Sequence, residues 1–182
     1  MIITLSGNGG SGKSTIAKAL AEKLGYTYVG IGAMRRKVAE SMGLNILQFD
    51  ELGNRPENVK EFDLKYEEYQ KSLSLNENII IDAWLGFYCQ PKSFKIYLNI
   101  DAKVAAQRIF DNKRTTDNYA SVEEVLAKTQ QRAQENKIRY QKLYGVDITD
   151  FNNFDLIFDT TGKEPQDVVK QIVVEFEKFQ EK

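Results

Sequence analysis

The 182-residue sequence contains no histidine and a single cysteine, Cys89. The absence of histidine excludes histidine general bases, catalytic triads that need an imidazole, and histidine-ligated zinc sites. A lone cysteine excludes an intrachain disulfide and is typical of a reducing compartment. No apolar run approaches the ~20 residues that a membrane span requires, and no signal-peptide pattern precedes the first predicted strand. We therefore expect a cytoplasmic protein that does not associate with membranes.

An excess of charge of either sign is also lacking, because 25 basic residues stand against 26 acidic ones. This balance argues against nucleic acid as the main partner. Domains commonly contain ~100–200 residues, and neither an internal repeat nor a linker composition divides this chain. We therefore expect residues 1–182 to form one domain, and we expect a monomer.

The most informative stretch that is present is residues 7–14, GNGGSGKS, which fits the phosphate-loop pattern. An apolar run precedes it and a helical pattern comes after it, which is the context that this motif requires. Its glycines let backbone N–H groups surround a polyphosphate, Lys13 suits the β- and γ-phosphates, and the Ser14 hydroxyl suits Mg²⁺. The residues assigned to ATP binding are Gly7, Asn8, Gly9, Gly10, Ser11, Gly12, Lys13, Ser14 and Thr15.

Short apolar runs separated by helical patterns predict an α/β fold, with a five-stranded parallel sheet covered by helices on both faces. The predicted strands are residues 2–6, 27–31, 78–82, 94–100 and 155–159. The third run ends at Asp82, where a carboxylate is typical of the acidic residue that holds the Mg²⁺ shell in phosphate-loop enzymes. A structural cap is the alternative, and Asp101 and Asp159 also follow apolar runs. For Asp101 we favour the cap of the next helix.

Arginines are concentrated in two parts of the chain. Arg35 and Arg36 open a helix after the second predicted strand, where a second anionic group would lie. Further along, the planar guanidinium groups of several arginines suit a cage that closes over phosphates, although a solvated helix face is the commoner explanation. The members of this predicted cage are Arg108, Arg114, Arg132 and Arg139.

Taken together, these features resemble the archaeal-type cytidylate kinases, which belong to the nucleoside monophosphate kinase group of phosphate-loop proteins. Residues 139–147, RYQKLYGVD, are similar to the family stretch RYxxLYGxD. Residues 32–36, GAMRR, are similar to the acceptor segment GxxxR and place Arg36 on the ligand position, while residues 106–109 resemble the start of the lid. The resemblance covers nearly the whole length.

The resemblance implies Mg²⁺-dependent transfer of the γ-phosphoryl group of ATP to a nucleoside monophosphate, with CMP or dCMP as the favoured acceptor. It also implies acceptor-binding helices over about 33–75 and a lid over about 108–139. The residues it assigns to the reaction are Lys13, Arg36, Arg108, Arg132 and Arg139, and the residues assigned to the metal are Ser14 and Asp82.

One position departs from the family pattern. Where the family has an arginine within E/D-x-R-L, residues 82–85 read DAWL, so Trp84 replaces the cation. An indole can stack on a base but cannot neutralise phosphate, so Arg35 or Arg55 would have to substitute. Two alternatives stay open: a nucleoside or other hydroxyl acceptor with Asp82 as base, and a nucleotide-dependent switch module.

Overall fold

The computed structural model describes residues 1–112 and 119–181. It contains a five-stranded parallel sheet in the order β2-β3-β1-β4-β5, so the predicted α/β fold class is confirmed. The strands are β1 (Ile2–Gly7), β2 (Thr27–Gly30), β3 (Ile79–Asp82), β4 (Phe94–Asn99) and β5 (Leu156–Asp159). Strand β3 has a neighbour on each side, which agrees with its lack of polar alternation.

Helices connect and cover these strands. They are α1 (Lys13–Leu24), α2 (Ile31–Ser41), α3 (Ile46–Gly53), α4 (Lys65–Ser72), α5 (Gly86–Cys89), α6 (Ala102–Asp111), α7 (Val122–Tyr144) and α8 (Pro165–Gln180). In the part of the chain that the structure describes, no helix is long and apolar enough to cross a membrane.

Both faces of the sheet are packed, because alternate residues of a strand point to opposite sides. On one face, Ile3 and Leu5 of β1 contact residues of α1 and α8, among them Ile172. On the other face, Ile2 lies with Ile81 and residues of the α2 and α4 segments. Each fully buried aliphatic side chain of this kind contributes ~1.5–3 kcal/mol relative to exposure.

Two helix starts show how local sequence sets the elements beside the site. The Asp101 side chain accepts hydrogen bonds from the backbone of Lys103 at 2.9 Å and of Val104 at 3.0 Å, so it caps α6 as predicted. Ser121 accepts from the backbone of Glu124 at 3.3 Å and caps α7. Residues 121–124, SVEE, have the sequence pattern of a capping box, but the Glu124 carboxylate accepts from the backbone of Ala120 at 2.7 Å, one residue before Ser121.

The segment before β3 differs from the single long helix that its apolar spacing predicts. It begins with a 3-10 turn at Pro56–Asn58, continues through a π-helical turn at Lys60–Leu64, and ends in α4. A π-turn inserts an extra residue into the helix and shifts the directions of its side chains, and Asp63 lies inside the protein with no exposed surface. Asp63 lies off the apolar stripe of residues 59–73, a position that in a regular helix could face a substrate, but in the structure it faces other helices.

Candidate active site

The phosphate loop lies at the carboxyl edge of β1, between that strand and α1. Gly7 has φ 135°, and a Cβ there would lie 2.1 Å from the carbonyl oxygen of Leu98. Gly10 has φ 80°, and a Cβ there would lie 2.7 Å from the carbonyl oxygen of Ala105. Only glycine fits these two positions, because both the backbone angle and the available space exclude a side chain.

The Lys13 ammonium lies across this loop. Its Nζ atom donates to the carbonyl oxygens of Gly7 and Asn8, each at 2.8 Å. The same atom lies 5.7 Å from the centroid of the Trp84 ring. Neutral carbonyls are weaker partners for an ammonium than phosphate oxygens, so this arrangement leaves the lysine able to move to a phosphate.

Asn8 holds the loop to the neighbouring strand. The Tyr97 hydroxyl donates to the side-chain oxygen of Asn8 at 3.0 Å, and the Asn8 amide donates to Asn99 at 3.4 Å. The Ser11 hydroxyl donates to the Asn8 carbonyl at 2.9 Å, and Thr160 donates to the Ser11 carbonyl at 3.2 Å. Sequence reasoning missed Tyr97 and Thr160, because their role depends on the order of the strands.

Ser14 and Asp82, which were predicted as the metal residues, lie together. The Ser14 hydroxyl donates to Oδ2 of Asp82 at 2.6 Å, and the Tyr28 hydroxyl donates to the same oxygen at 3.2 Å. Hydroxyl and carboxylate oxygens are the ligands that Mg²⁺ prefers, so this donor set fits the ion. Burial, followed by the charge of Asp82, raises the pKa of Tyr28 to about 12, which keeps the phenol protonated.

Arg36 and Arg108 lie on two different helices next to this edge. Arg36 folds back along the start of α2, where a Cβ on Gly32 would lie 3.7 Å from its guanidinium nitrogens. The positive charge of Arg36 acts to lower the pKa of Tyr28, against the larger effect of burial, which raises it. The Arg108 guanidinium donates to the carbonyl oxygen of Thr160 at 3.1 Å, so it lies against the connection between β5 and α8.

Arg132 and Arg139 lie in a buried ion cluster, which we define as Arg35, Asp50, Asp63, Arg132 and Arg139. Asp50 contacts Arg35 at 2.9 Å and Arg132 at 2.8 Å. Asp63 contacts Arg35 at 3.5 Å and pairs with Arg139. The cluster therefore joins α2, α3 and the π-helical turn to α7.

Burial differs among the members of the ion cluster. The side chains of Asp63 and Arg139 are 0% and 7% exposed, whereas that of Arg132 is 25% exposed. Burial alone would raise the pKa of Asp50, but Arg132 and Arg35 outweigh it and hold that pKa below its usual value. Because Arg35 is bound to two carboxylates, it does not supply the cation that Trp84 replaces. Arg114 of the predicted cage lies outside the described residues.

Trp84 lies two residues after the end of β3 and is half-buried beside the phosphate loop. The Ser6 hydroxyl donates to the carbonyl oxygens of Ala83 at 3.0 Å and Trp84 at 3.3 Å, which fixes this segment. With Lys13 on one side, the indole offers an aromatic surface at the edge of the site.

A parallel sheet with this strand order, a lysine-bearing glycine loop after β1 and an acidic residue at the end of the adjacent strand defines a phosphate-loop kinase fold. A shikimate kinase from Bacteroides thetaiotaomicron shares it, with a TM-score of 0.66 and 16% identity over 97% of this chain and 98% of that one. An uncharacterized protein from Eubacterium ventriosum has a TM-score of 0.70 and 13% identity, over 97% of this chain and 98% of that one. At these identities the likeness concerns the fold alone.

The chain belongs to the cytidylate kinase-like family, whose sequence profile matches residues 2–162. The cytidylate kinase of Methanobrevibacter smithii is 32% identical over 95% of this chain and 96% of its own length. That of Methanothrix thermoacetophila is 35% identical over 88% of both. The resemblance derived from the motifs is confirmed, and the chain is a nucleotide kinase.

One relative is a longer protein of a different name. The S-adenosylmethionine-dependent nucleotide dehydratase of Lacinutrix mariniflava is 35% identical over 97% of this chain. The chain spans only 36% of the length of that relative. The match therefore concerns about a third of that protein.

Proposed function

We propose that this protein transfers the γ-phosphoryl group of ATP to a nucleoside monophosphate, with CMP or dCMP as the favoured acceptor. The observation that carries the proposal is the convergence of Lys13, Ser14 and Asp82 at one sheet edge in a chain of this family. Residues 7–15 would hold the triphosphate of ATP, with Lys13 on the β- and γ-phosphates.

Ser14 and Asp82 would hold Mg²⁺, which neutralises charge on the phosphates when it is bound. Their oxygens lie 2.6 Å apart, so the hydroxyl and the carboxylate are already arranged around one small volume. What the chain itself supplies is alignment of the phosphates by the loop and neutralisation of their charge by Lys13.

The acceptor phosphate would bind near Arg36, on the acceptor-binding helices of residues 33–75. Its attacking oxygen is already ionised, so the reaction needs no general base, which suits a chain without histidine. Trp84 would stack on the base of the acceptor. The charge that an arginine would supply at this position is then left to Arg36 and Lys13, with Arg55 as the remaining candidate of the two arginines named from the sequence.

The lid of residues 108–139 would close over the transferring group. Arg132 is the most exposed arginine of the ion cluster. Exchanging its Asp50 partner for a phosphate oxygen would therefore cost less free energy than the same exchange at Arg35 or Arg139. The buried pairing of Arg139 with Asp63 supports an anchoring role for Arg139 instead of direct phosphate contact. Arg108 would act from α6, beside Thr160.

A hydroxyl acceptor such as a nucleoside is the second candidate, and the replacement of an arginine by Trp84 favours it. That chemistry would use Asp82 as a base. Two hydroxyls already donate to Oδ2 of Asp82, so an acceptor hydroxyl would have to displace one of them from that oxygen. The relatives named cytidylate kinases also support a nucleotide as the acceptor. We therefore favour the monophosphate.

A screen of acceptors with ATP and Mg²⁺ separates these candidates. The acceptors are CMP, dCMP and UMP on one side and the matching nucleosides on the other, with Lys13→Ala as the control for contaminating kinases. We expect ADP release that depends on a monophosphate. Turnover of nucleosides without turnover of monophosphates would establish the second candidate. Stimulation by a macromolecule alone would establish a switch.

A further inference from the structure

Gly30, the last residue of β2, is a glycine for a reason other than backbone freedom. Its φ of −109° and ψ of 98° are open to every residue. A Cβ at Gly30 would lie 2.3 Å from the hydroxyl oxygen of Tyr28 and 2.8 Å from its Cζ. Real Cβ contacts are longer than this, so the missing side chain of Gly30 makes room for the phenol.

The register of the sheet explains why the phenol in this space reaches Asp82. Residues two apart on a strand share a face, so the ring of Tyr28 lies over Gly30. Gly30 is paired with Asp82 on the neighbouring strand β3. The phenol therefore reaches the Asp82 carboxylate, and its hydroxyl lies 3.2 Å from Oδ2.

Two hydroxyls share this carboxylate oxygen. An ionised carboxylate only accepts hydrogen bonds, so Tyr28 and Ser14 both donate to it. Ser14 is itself assigned to the metal, whereas Tyr28 has no other part in the proposed chemistry. The ammonium of Lys18 lies 5.6 Å from the centroid of the Tyr28 ring and restrains the ring from outside the site.

We propose that Tyr28, in the space left by Gly30, is a positioning residue that holds Asp82 in place for the Mg²⁺ of the bound nucleotide. This inference rests on the proposed function. Loss of a partner that orients a metal-binding carboxylate typically lowers the affinity for the metal about 10–100-fold. Because Ser14 remains as a second donor to Asp82, we expect the lower end of this range.

The test measures metal binding without turnover. Mn²⁺ is titrated by electron paramagnetic resonance into the protein bound to a non-hydrolysable ATP analogue. In Tyr28→Phe the dissociation constant of Mn²⁺ should rise about tenfold, while the affinity for the analogue in EDTA stays within about twofold. The matched control is Tyr26→Phe, because Tyr26 packs against Phe176 with ring centroids 6.2 Å apart. The control should leave both values unchanged.

A second variant tests the contact between Tyr28 and Asp82 by changing Gly30 instead of Tyr28. Gly30→Ala should displace the phenol and weaken Mn²⁺ binding as Tyr28→Phe does, but it should have no further effect in a Tyr28→Ala background. Unchanged Mn²⁺ affinity in Tyr28→Phe, or equal effects of Gly30→Ala in both backgrounds, would overturn the inference. A wild-type protein that binds the metal complex in this way but phosphorylates no acceptor would instead refute the proposed function alone.

Discussion

Replacing Asp63 by asparagine tests whether the ion cluster holds α7 to the acceptor-binding helices. Asp63 has no exposed side-chain surface and lies between Arg35 and Arg139. Three arginines against two aspartates give the cluster a formal charge of +1, and the variant leaves three against one, which is +2. Removing one partner of a buried ion pair costs ~3–5 kcal/mol, because the remaining charge is uncompensated.

The assay is urea unfolding followed by circular dichroism, which gives the free energy of unfolding. For Asp63→Asn we expect a loss of ~3–5 kcal/mol. The matched control is Asp167→Asn, because Asp167 pairs with Lys170 at 3.0 Å with both side chains well exposed. An exposed pair contributes ~0–1 kcal/mol, so the control should change little.

A compensating variant tests the same reasoning from the opposite direction. Asp63→Leu combined with Arg139→Met removes one charge of each sign and returns the cluster to +1. Apolar replacement of a whole buried pair is often neutral, so the double variant should be more stable than Asp63→Asn. If Asp63→Asn unfolds with a free energy within ~1 kcal/mol of wild type, or if the double variant is the less stable, the account of this cluster is wrong.

Three further predictions concern the site and the pH dependence of stability. Lys13→Ala should lower turnover by about 10³-fold without changing the melting temperature, and near-normal turnover would contradict the assigned role of the loop. Trp84→Arg should lower the KM for CMP about tenfold in steady-state kinetics, since a charge-assisted hydrogen bond contributes ~1.5–3 kcal/mol, and an unchanged KM would give Trp84 another role. Burial, followed by the charge of Asp63, raises the pKa of Glu67 to about 7. Because the folded state then holds the proton more tightly, Glu67 reduces stability as the pH rises from ~4.5 to ~7. Relative to wild type, the free energy of unfolding of Glu67→Gln should therefore rise by ~3 kcal/mol between pH ~4.5 and ~7, as measured by urea unfolding. A difference between the two proteins that does not change with pH would exclude this titration.

The phosphate loop and the sheet could be predicted because their signals are local. The glycines, Lys13 and Ser14 are contiguous, and each strand is a short run whose predicted ends differ from the observed ends by at most one residue. Asp82 lies beside Ser14 because β3 is next to β1 in the sheet, which the sequence does not state directly. The phosphate-loop motif nevertheless predicts an acidic partner for its serine.

The ion cluster could not be predicted, because it depends on partners that are distant in sequence. Asp63 and Arg139 are 76 residues apart, and the π-helical turn that contains Asp63 has no marker in the apolar spacing. Arginines that suit phosphate also suit buried aspartates, so composition alone could not separate the two roles. Tyr28 and Gly30, in contrast, are neighbours on one face of a strand. The spacing of a large residue two positions before a glycine could have indicated from the sequence that the ring lies over the glycine.

The most direct test of the central claim is ³¹P nuclear magnetic resonance of the protein with ATP, Mg²⁺ and CMP. We predict that resonances of CDP appear in step with those of ADP, and that both are absent in Lys13→Ala. An ATP spectrum that stays unchanged, or that yields only ADP and inorganic phosphate whichever nucleoside monophosphate is supplied, would contradict the claim.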